Sequence, residues 1–387
     1  MLAEYHAFSL GKIMNKKIWL SSLIAVLVVL AVVTTIFYYL PQWQRAREGS
    51  TKTTQQAKNK SIEPAKQPET LSTVTADTNL DRYISELGFS GSVLVVKDNK
   101  VILRKGYGEA NYEQKIPNSP NTLFPIGSTQ KAMIATAILQ LQEKKQLQVT
   151  DAIAKYFPDF PNGQNIRLFN LLNHTSGIFG RNQTNQAETS DELVNEIKAN
   201  GTVGQPGRWH YLDANYIILT KLLEKITHTD YRTYLKQHII APSYMTGTGF
   251  MNDTTYQQSK QASVGYELEK GHMTPGALPN FSQLFGVGDM YMNPTDMYLF
   301  DRALFTHKLL KSDSLNAMLK PGSSSQYGMG FYNDPAVIVN RGYLSGWSVS
   351  NGFSHGGRIY IVLFSNVRNH AISLSDMNSK IYTQLTN

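Results

Sequence analysis

The chain has no cysteine among its 387 residues, which excludes disulfide staples and thiolate metal sites. Its nine histidines form no cluster with metal-ligand spacing, so no metal and no other cofactor is expected. Acidic residues are the scarcer charge, 29 against 37 Lys plus Arg, for a net charge of +8. The surplus is spread along the chain and gathers in no basic block, so it points to no nucleic acid partner and suits polyanionic surroundings. Long apolar runs are absent with one exception. Ile18 to Leu40 carries no charged residue and is long enough to cross a bilayer.

Lys12, Lys16 and Lys17 precede this run and Arg45 and Arg47 follow it, a slight bias toward a cytoplasmic N-terminus. No small-residue cleavage site follows, and Phe37, Tyr38, Tyr39 and Trp43 suit the interface. The reading is a cytoplasmic tail (1–17), an uncleaved transmembrane signal anchor (18–40) and a single-pass cell-membrane protein with its remainder outside. Residues 41–79 are rich in Gln, Thr, Lys and Ser and cannot bury enough surface to fold. As a flexible stalk they would reach roughly 35 Å. Residues 80–387 are long enough for a sizeable core.

Within that part, Ser90 to Gly108 reads as two β-branched strands around an Asp98-Asn99 turn. Strands at 346–350 and 358–364 and a helix at about 374–385 mirror it at the far end. Helical patterns fall between, at 128–145, 151–157, 190–199, 214–227, 230–239 and 294–307. The order implies an α/β fold in which both chain ends form an antiparallel sheet around a large helical insertion.

Chemistry concentrates at Gly127-Ser128-Thr129-Gln130-Lys131, which opens an apolar helix. A lysine three residues after a serine shares its helix face and can bring an amine against the hydroxyl. Burial is expected to lower the lysine toward neutrality, so that it accepts the serine proton. Ser9-Leu10-Gly11-Lys12 repeats the spacing, but in a charged tail with no core around it.

These residues, with Leu171-Leu172-Asn173-His174-Thr175-Ser176-Gly177, Pro206-Gly207, Tyr211-Leu212-Asp213 and Gly286-Val287-Gly288-Asp289-Met290-Tyr291, resemble the serine β-lactamase and penicillin-binding protein superfamily over 80–387. The resemblance implies a β-lactamase-like fold, an acyl-enzyme on Ser128, and Lys131 and Tyr211 as its proton-transfer partners. The second motif is usually Tyr-x-Asn, and the Asp213 variant is similar to teichoic acid D-alanyl esterases of the FmtA and DltE type. A carboxylate suits a free ammonium, and these enzymes' D-alanine carries one. Asp213 could instead cap the following helix or hold Lys131, and a tight pair would raise the lysine.

The usual third motif, Lys-Thr-Gly or His-x-Gly, is replaced by Asn340-Arg341-Gly342, with Ser354-His355-Gly356-Gly357 as a rival placement. By resemblance, Ser128 and Tyr343 supply the oxyanion N–H groups and Gly342 lines the site; Arg341 reads as structural or solvated, with contact to a polymer phosphate as the alternative. His174 and His210 read as structural or solvated. The sequence thus implies a membrane-anchored esterase removing D-alanine from teichoic or lipoteichoic acid. Its rivals are a penicillin-binding D,D-carboxypeptidase or class C type β-lactamase, and a non-catalytic receptor for wall polymer.

Overall fold

Strands from the two ends of the chain alternate across one sheet. The computed structural model describes residues 72–369 and 371–387. The expected tail, the span at 18–40 and nearly all of the stalk lie outside the described residues; among those described, no helix is long and apolar enough to cross a membrane.

The sheet comprises β1 (Val74–Thr75), β2 (Gly91–Lys97), β3 (Lys100–Tyr107), β4 (Tyr332–Asn333), β5 (Ile338–Leu344), β6 (Trp347–Phe353) and β7 (Ile359–Ser365). Their order is β1-β3-β2-β7-β6-β5-β4, and every neighbouring pair is antiparallel. Asp98 and Asn99 both take positive φ, 49° and 65°, as a two-residue turn between strands of this twist requires. The register of β2 on β7 runs from Gly91 opposite Ser365 to Lys97 opposite Ile359.

Alternation decides which layer each strand residue joins. Val93, Val95, Leu103, Ile361 and Leu363 pack with helices α1 (Thr78–Glu86) and α6 (Leu374–Thr386) on one face. Leu94, Val96, Val362 and Phe364 enter the larger core on the other. That core contains α2 (Lys131–Glu143), whose residues from Lys131 to Leu139 are all buried, with α3 (Ser190–Asn200), α4 (Asp213–Thr227) and α5 (Pro294–Phe305) around it. At α5 the Asn293 side chain accepts from Asp296 N at 3.0 Å and Pro294 follows, a start written in the sequence.

Three boundaries differ from expectation. Folding starts before residue 80, because Val74–Thr75 pairs with β3 and the Asp77 side chain caps α1, accepting from Leu80 N at 2.9 Å. The segment 151–157 forms only a short turn at Ile153–Lys155, since Ile153 and Ala154 donate to Ile166 and Gly163 and leave the helical ladder. The helix expected at 230–239 changes its winding after Leu235, where a wider π turn spans Lys236–Ile240.

Candidate active site

Two glycines let the sheet edge touch the turn that carries Ser128. At Gly127, with φ 51°, a side chain would bring its Cβ to 2.8 Å from the Tyr343 carbonyl. At Gly342 a Cβ would lie 2.0 Å from the carbonyl oxygen of Ile126. Neither position can carry a side chain without moving β5 off the turn. β4 pairs only with Ile338 and Val339, so from Asn340 onward that edge of β5 is left to the turn Gly127–Gln130.

The turn is also anchored from below. Gln130 is fully buried; its Nε2 donates to Asp289 Oδ1 at 2.9 Å and its Oε1 accepts from Met290 N at 3.3 Å. Asp289 Oδ2 accepts from Tyr231 Oη at 2.5 Å and Arg232 Nη2 at 2.9 Å. Burial holds the Asp289 carboxyl above its usual value, although Arg232 and Tyr231 oppose it.

Lys131, the first residue of α2, has no exposed side-chain surface. Its Nζ donates to Ser128 Oγ at 2.8 Å and meets Asp213 Oδ1 at 2.7 Å, and the Tyr211 ring centre lies 5.0 Å away. Burial alone pulls this lysine down, but the Asp213 carboxylate and the Tyr211 oxygen outweigh it and leave it above its ordinary value. This reverses the expected lowering toward neutrality: in the structure Lys131 is an ammonium that donates to the serine it should deprotonate. The lowering followed from burial alone; the alternative in which Asp213 holds Lys131 and raises it is the one the structure shows.

Asp213 opens α4, where a carboxylate also suits the helix N-terminus. One oxygen faces Lys131, yet the side chain remains 47 % exposed. The preceding residues are fastened to the turn His174–Gly177: His210 N donates to the His174 carbonyl at 2.8 Å, and Ser176 Oγ to Asn215 Oδ1 at 2.6 Å. His174 is wholly buried, its ring centre 4.2 Å from that of Tyr211, and its Nδ1 accepts from Leu212 N at 3.3 Å. Burial and the nearby Lys131 cation hold it well below its usual value, so it is a neutral plate beneath Tyr211. The sequence marked this histidine only as structural; its motif was the available signal.

A cleft of about 270 Å³ opens over Ser128, lined by Tyr211, Tyr327, Tyr332, Asn340, Arg341 and Tyr343. Arg341 lies 5.0 Å from the Tyr332 ring and 3.7 Å from Asp334, while Tyr343 is largely exposed. Asn340 is buried with its Nδ2 3.5 Å from the Thr129 carbonyl, so the position of the usual cation holds a neutral amide under the turn. The rival His355 lies in the turn between β6 and β7 and lines a different groove with Lys97 and Arg358. Ser128, Lys131, Tyr211, Asp213, Arg341, Gly342 and Tyr343 thus meet in one place.

A serine and lysine one helical turn apart, between an antiparallel sheet and a helical lobe, define a serine hydrolase of the β-lactamase and penicillin-binding class. The beta-lactamase family model matches residues 80–374, and the chain belongs to that family. Among its relatives is PbpX of Bacillus subtilis, which carries a penicillin-binding-protein name and is 42% identical over 89% of this chain and 87% of its own. The teichoic acid D-alanine hydrolase of Staphylococcus aureus strain MRSA252 is 29% identical over 79% of this chain and 77% of its own. The crystal structure of FmtA from Staphylococcus aureus superposes with a TM-score of 0.72 at 25% identity, covering 83% of this chain and 90% of that one.

Proposed function

We propose that the chain is a serine esterase that releases D-alanine from D-alanylated teichoic or lipoteichoic acid, anchored to the cell membrane through residues 18–40 with its hydrolase domain outside. The observation that carries this reading is Asp213. An ionised carboxylate cannot donate to an acyl amide, as the usual Asn does, but it can hold an ammonium. Asp213 is half exposed beside Lys131, while Asn340 supplies no cation for a substrate carboxylate. An ester of D-alanine with a glycerol hydroxyl has a free amine and no carboxylate on the leaving side.

In this reading Ser128 Oγ attacks the ester carbonyl and Lys131, once neutral, takes its proton. Tyr211 relays a proton to the leaving glycerol oxygen and later helps activate water against the alanyl-enzyme. The N–H groups of Ser128 and Tyr343 hold the oxyanion, a role supported by the backbone contact at Gly127. Arg341 faces a phosphate of the polymer. The similarity to the teichoic acid D-alanine hydrolase supports the same substrate. The 42% identity to PbpX favours a second reading, in which Ser128 is acylated by penicillin or a D-alanyl peptide.

One experiment separates them. The protein is incubated with D-alanylated lipoteichoic acid and released D-alanine is measured, beside labelling by fluorescent penicillin. Release of D-alanine with poor labelling is expected. Stable labelling of Ser128 at low penicillin, with no D-alanine released, would replace the esterase by the penicillin-binding reading.

A further inference from the structure

The geometry around Lys131 leaves the reaction without a base. Its Nζ is enclosed, donates to Ser128 Oγ at 2.8 Å and is locked to Asp213 Oδ1 at 2.7 Å. The titratable groups that face it are Asp213, Tyr211, His174 and Tyr332, and Asp213 is the one carboxylate among them. While that carboxylate belongs to Lys131 alone, the amine keeps its proton and cannot accept the one on Ser128. Asp213 is nevertheless not closed off. With 47 % of its side chain exposed, it is open to a second cation from solvent, two residues from Tyr211, which lines the cleft.

We propose that the substrate's own ammonium, by taking a share of Asp213, expels the proton from Lys131 and so creates the base that activates Ser128. The inference rests on the reading above, that Asp213 receives the D-alanyl amine. Two ammonium groups on one carboxylate repel each other, and the buried one has lost its water and is the easier to neutralise. Lys131 then passes a proton to the Ser128 hydroxyl as that hydroxyl, which lines the cleft, gives its own to water, leaving a lone pair on Nζ 2.8 Å from Ser128 Oγ. The lone pair takes the Oγ proton as the Oγ–carbonyl carbon bond forms. The proton returns to the glycerol oxygen as the ester C–O bond breaks, so proton and electron pairs balance in the acylation step. A substrate without a cationic amine leaves the enzyme with its base protonated. The pair Lys131–Asp213 thereby becomes a specificity device: it rejects neutral acyl groups by failing to react with them, even where they fit.

The test compares pH–rate profiles of the full-length protein on a free-amine D-alanyl ester and on its N-acetylated counterpart. The acid limb of kcat/KM reports the free enzyme and that of kcat the bound complex. For the free-amine ester, the kcat limb is expected on the order of 1–3 pH units below the limb of the N-acetyl ester, the range over which one nearby charge moves a group. For the N-acetyl ester the limbs of kcat and kcat/KM should coincide. Asp213→Asn should erase the difference between the two substrates and raise N-acetyl ester hydrolysis near neutral pH, because Lys131 then loses the charge that holds its proton.

Coincident limbs for both substrates, with the free-amine ester still preferred, would overturn the proton expulsion and leave the ammonium reading standing. No preference for the free amine in the native enzyme would overturn both. If Asp213→Asn does not fold, the two native profiles decide alone.

Discussion

Two carboxylates meet cations beside the same turn, and they are finished to different degrees. Asp289 is wholly buried, with one oxygen on Gln130 and the other shared by Tyr231 and Arg232, so its acceptor sites are filled from three sides. Asp213 holds Lys131 with one oxygen and leaves about half its side-chain surface exposed. The cations are reversed as well: Lys131 is fully enclosed, whereas Arg232 reaches partly into solvent. A filled carboxylate in a dry site can only hold things in place; a partly filled one can still change partners. The first fixes the turn; in the proposed reading the second serves the reaction.

The comparison can be broken at either pair. The largest effect is expected from Ser128→Ala, which removes one partner of Lys131 and leaves the Asp289 cluster alone. D-alanyl ester hydrolysis should fall at least ~10³-fold, the scale of nucleophile deletions, with the melting temperature nearly unchanged. Equal hydrolysis by both proteins would remove Ser128 from the mechanism.

Asp289→Asn should act on the other axis. It leaves Arg232 and Tyr231 facing an amide, and breaking one partner of a buried pair costs about 3–5 kcal/mol. Urea unfolding measures this directly, and an unchanged midpoint would show that the cluster does not carry the turn. Activity should fall along with stability, through misplacement of Ser128.

Asp213→Asn should be the mildest for the fold, about 1–2 kcal/mol near neutral pH, because Asp213 is half exposed and Lys131 can shed its proton instead of remaining an uncompensated charge. The sign follows from Lys131, raised above its ordinary 10.5 when folded. The stabilisation it lends is complete below 10.5 and disappears as the pH climbs through the raised folded value. The stability gap between native protein and Asp213→Asn should therefore narrow above pH 10.5 in urea titrations, and a gap constant with pH would mean that the pair contributes nothing through charge.

Much of this was legible in the chain. The Asp98-Asn99 hairpin, the strands of the far end, the capped start of α5 and the Ser128–Lys131 spacing are local signals: periodicity, turn chemistry and one helical turn of separation. The family match at Tyr211 to Asp213 likewise led to side chains that lie beside Lys131. Charge balance stayed open in the sequence. Burial of Lys131 could be read from the apolar run after it, but whether Asp213, 82 positions along the chain, holds Lys131 or stands apart from it could not, and that contact decides the protonation. Asp289 was visible only as a member of a segment, because its partners Gln130, Tyr231 and Arg232 come from three separate stretches. The early start of the fold was masked by composition. Val74–Thr75 and Asp77 look like their Gln- and Thr-rich neighbours until β3 provides an edge to pair with.

The pairing of β2 with β7 also governs when such a molecule can come into being. A growing chain makes the β2–β3 hairpin and the Ser128 turn early, but the partner of β2, the glycine-bearing edge at Gly342 and the covering α6 are all synthesised last. Until Leu344 has been added Ser128 has no strand against it, and until Ser365 has been added the apolar strand Val93–Val96 has an open side. The nascent protein is therefore inert and vulnerable to mispairing for most of its synthesis. A premature stop anywhere ahead of β7 would remove fold and activity together, so no C-terminal truncation that takes away β7 retains a working site.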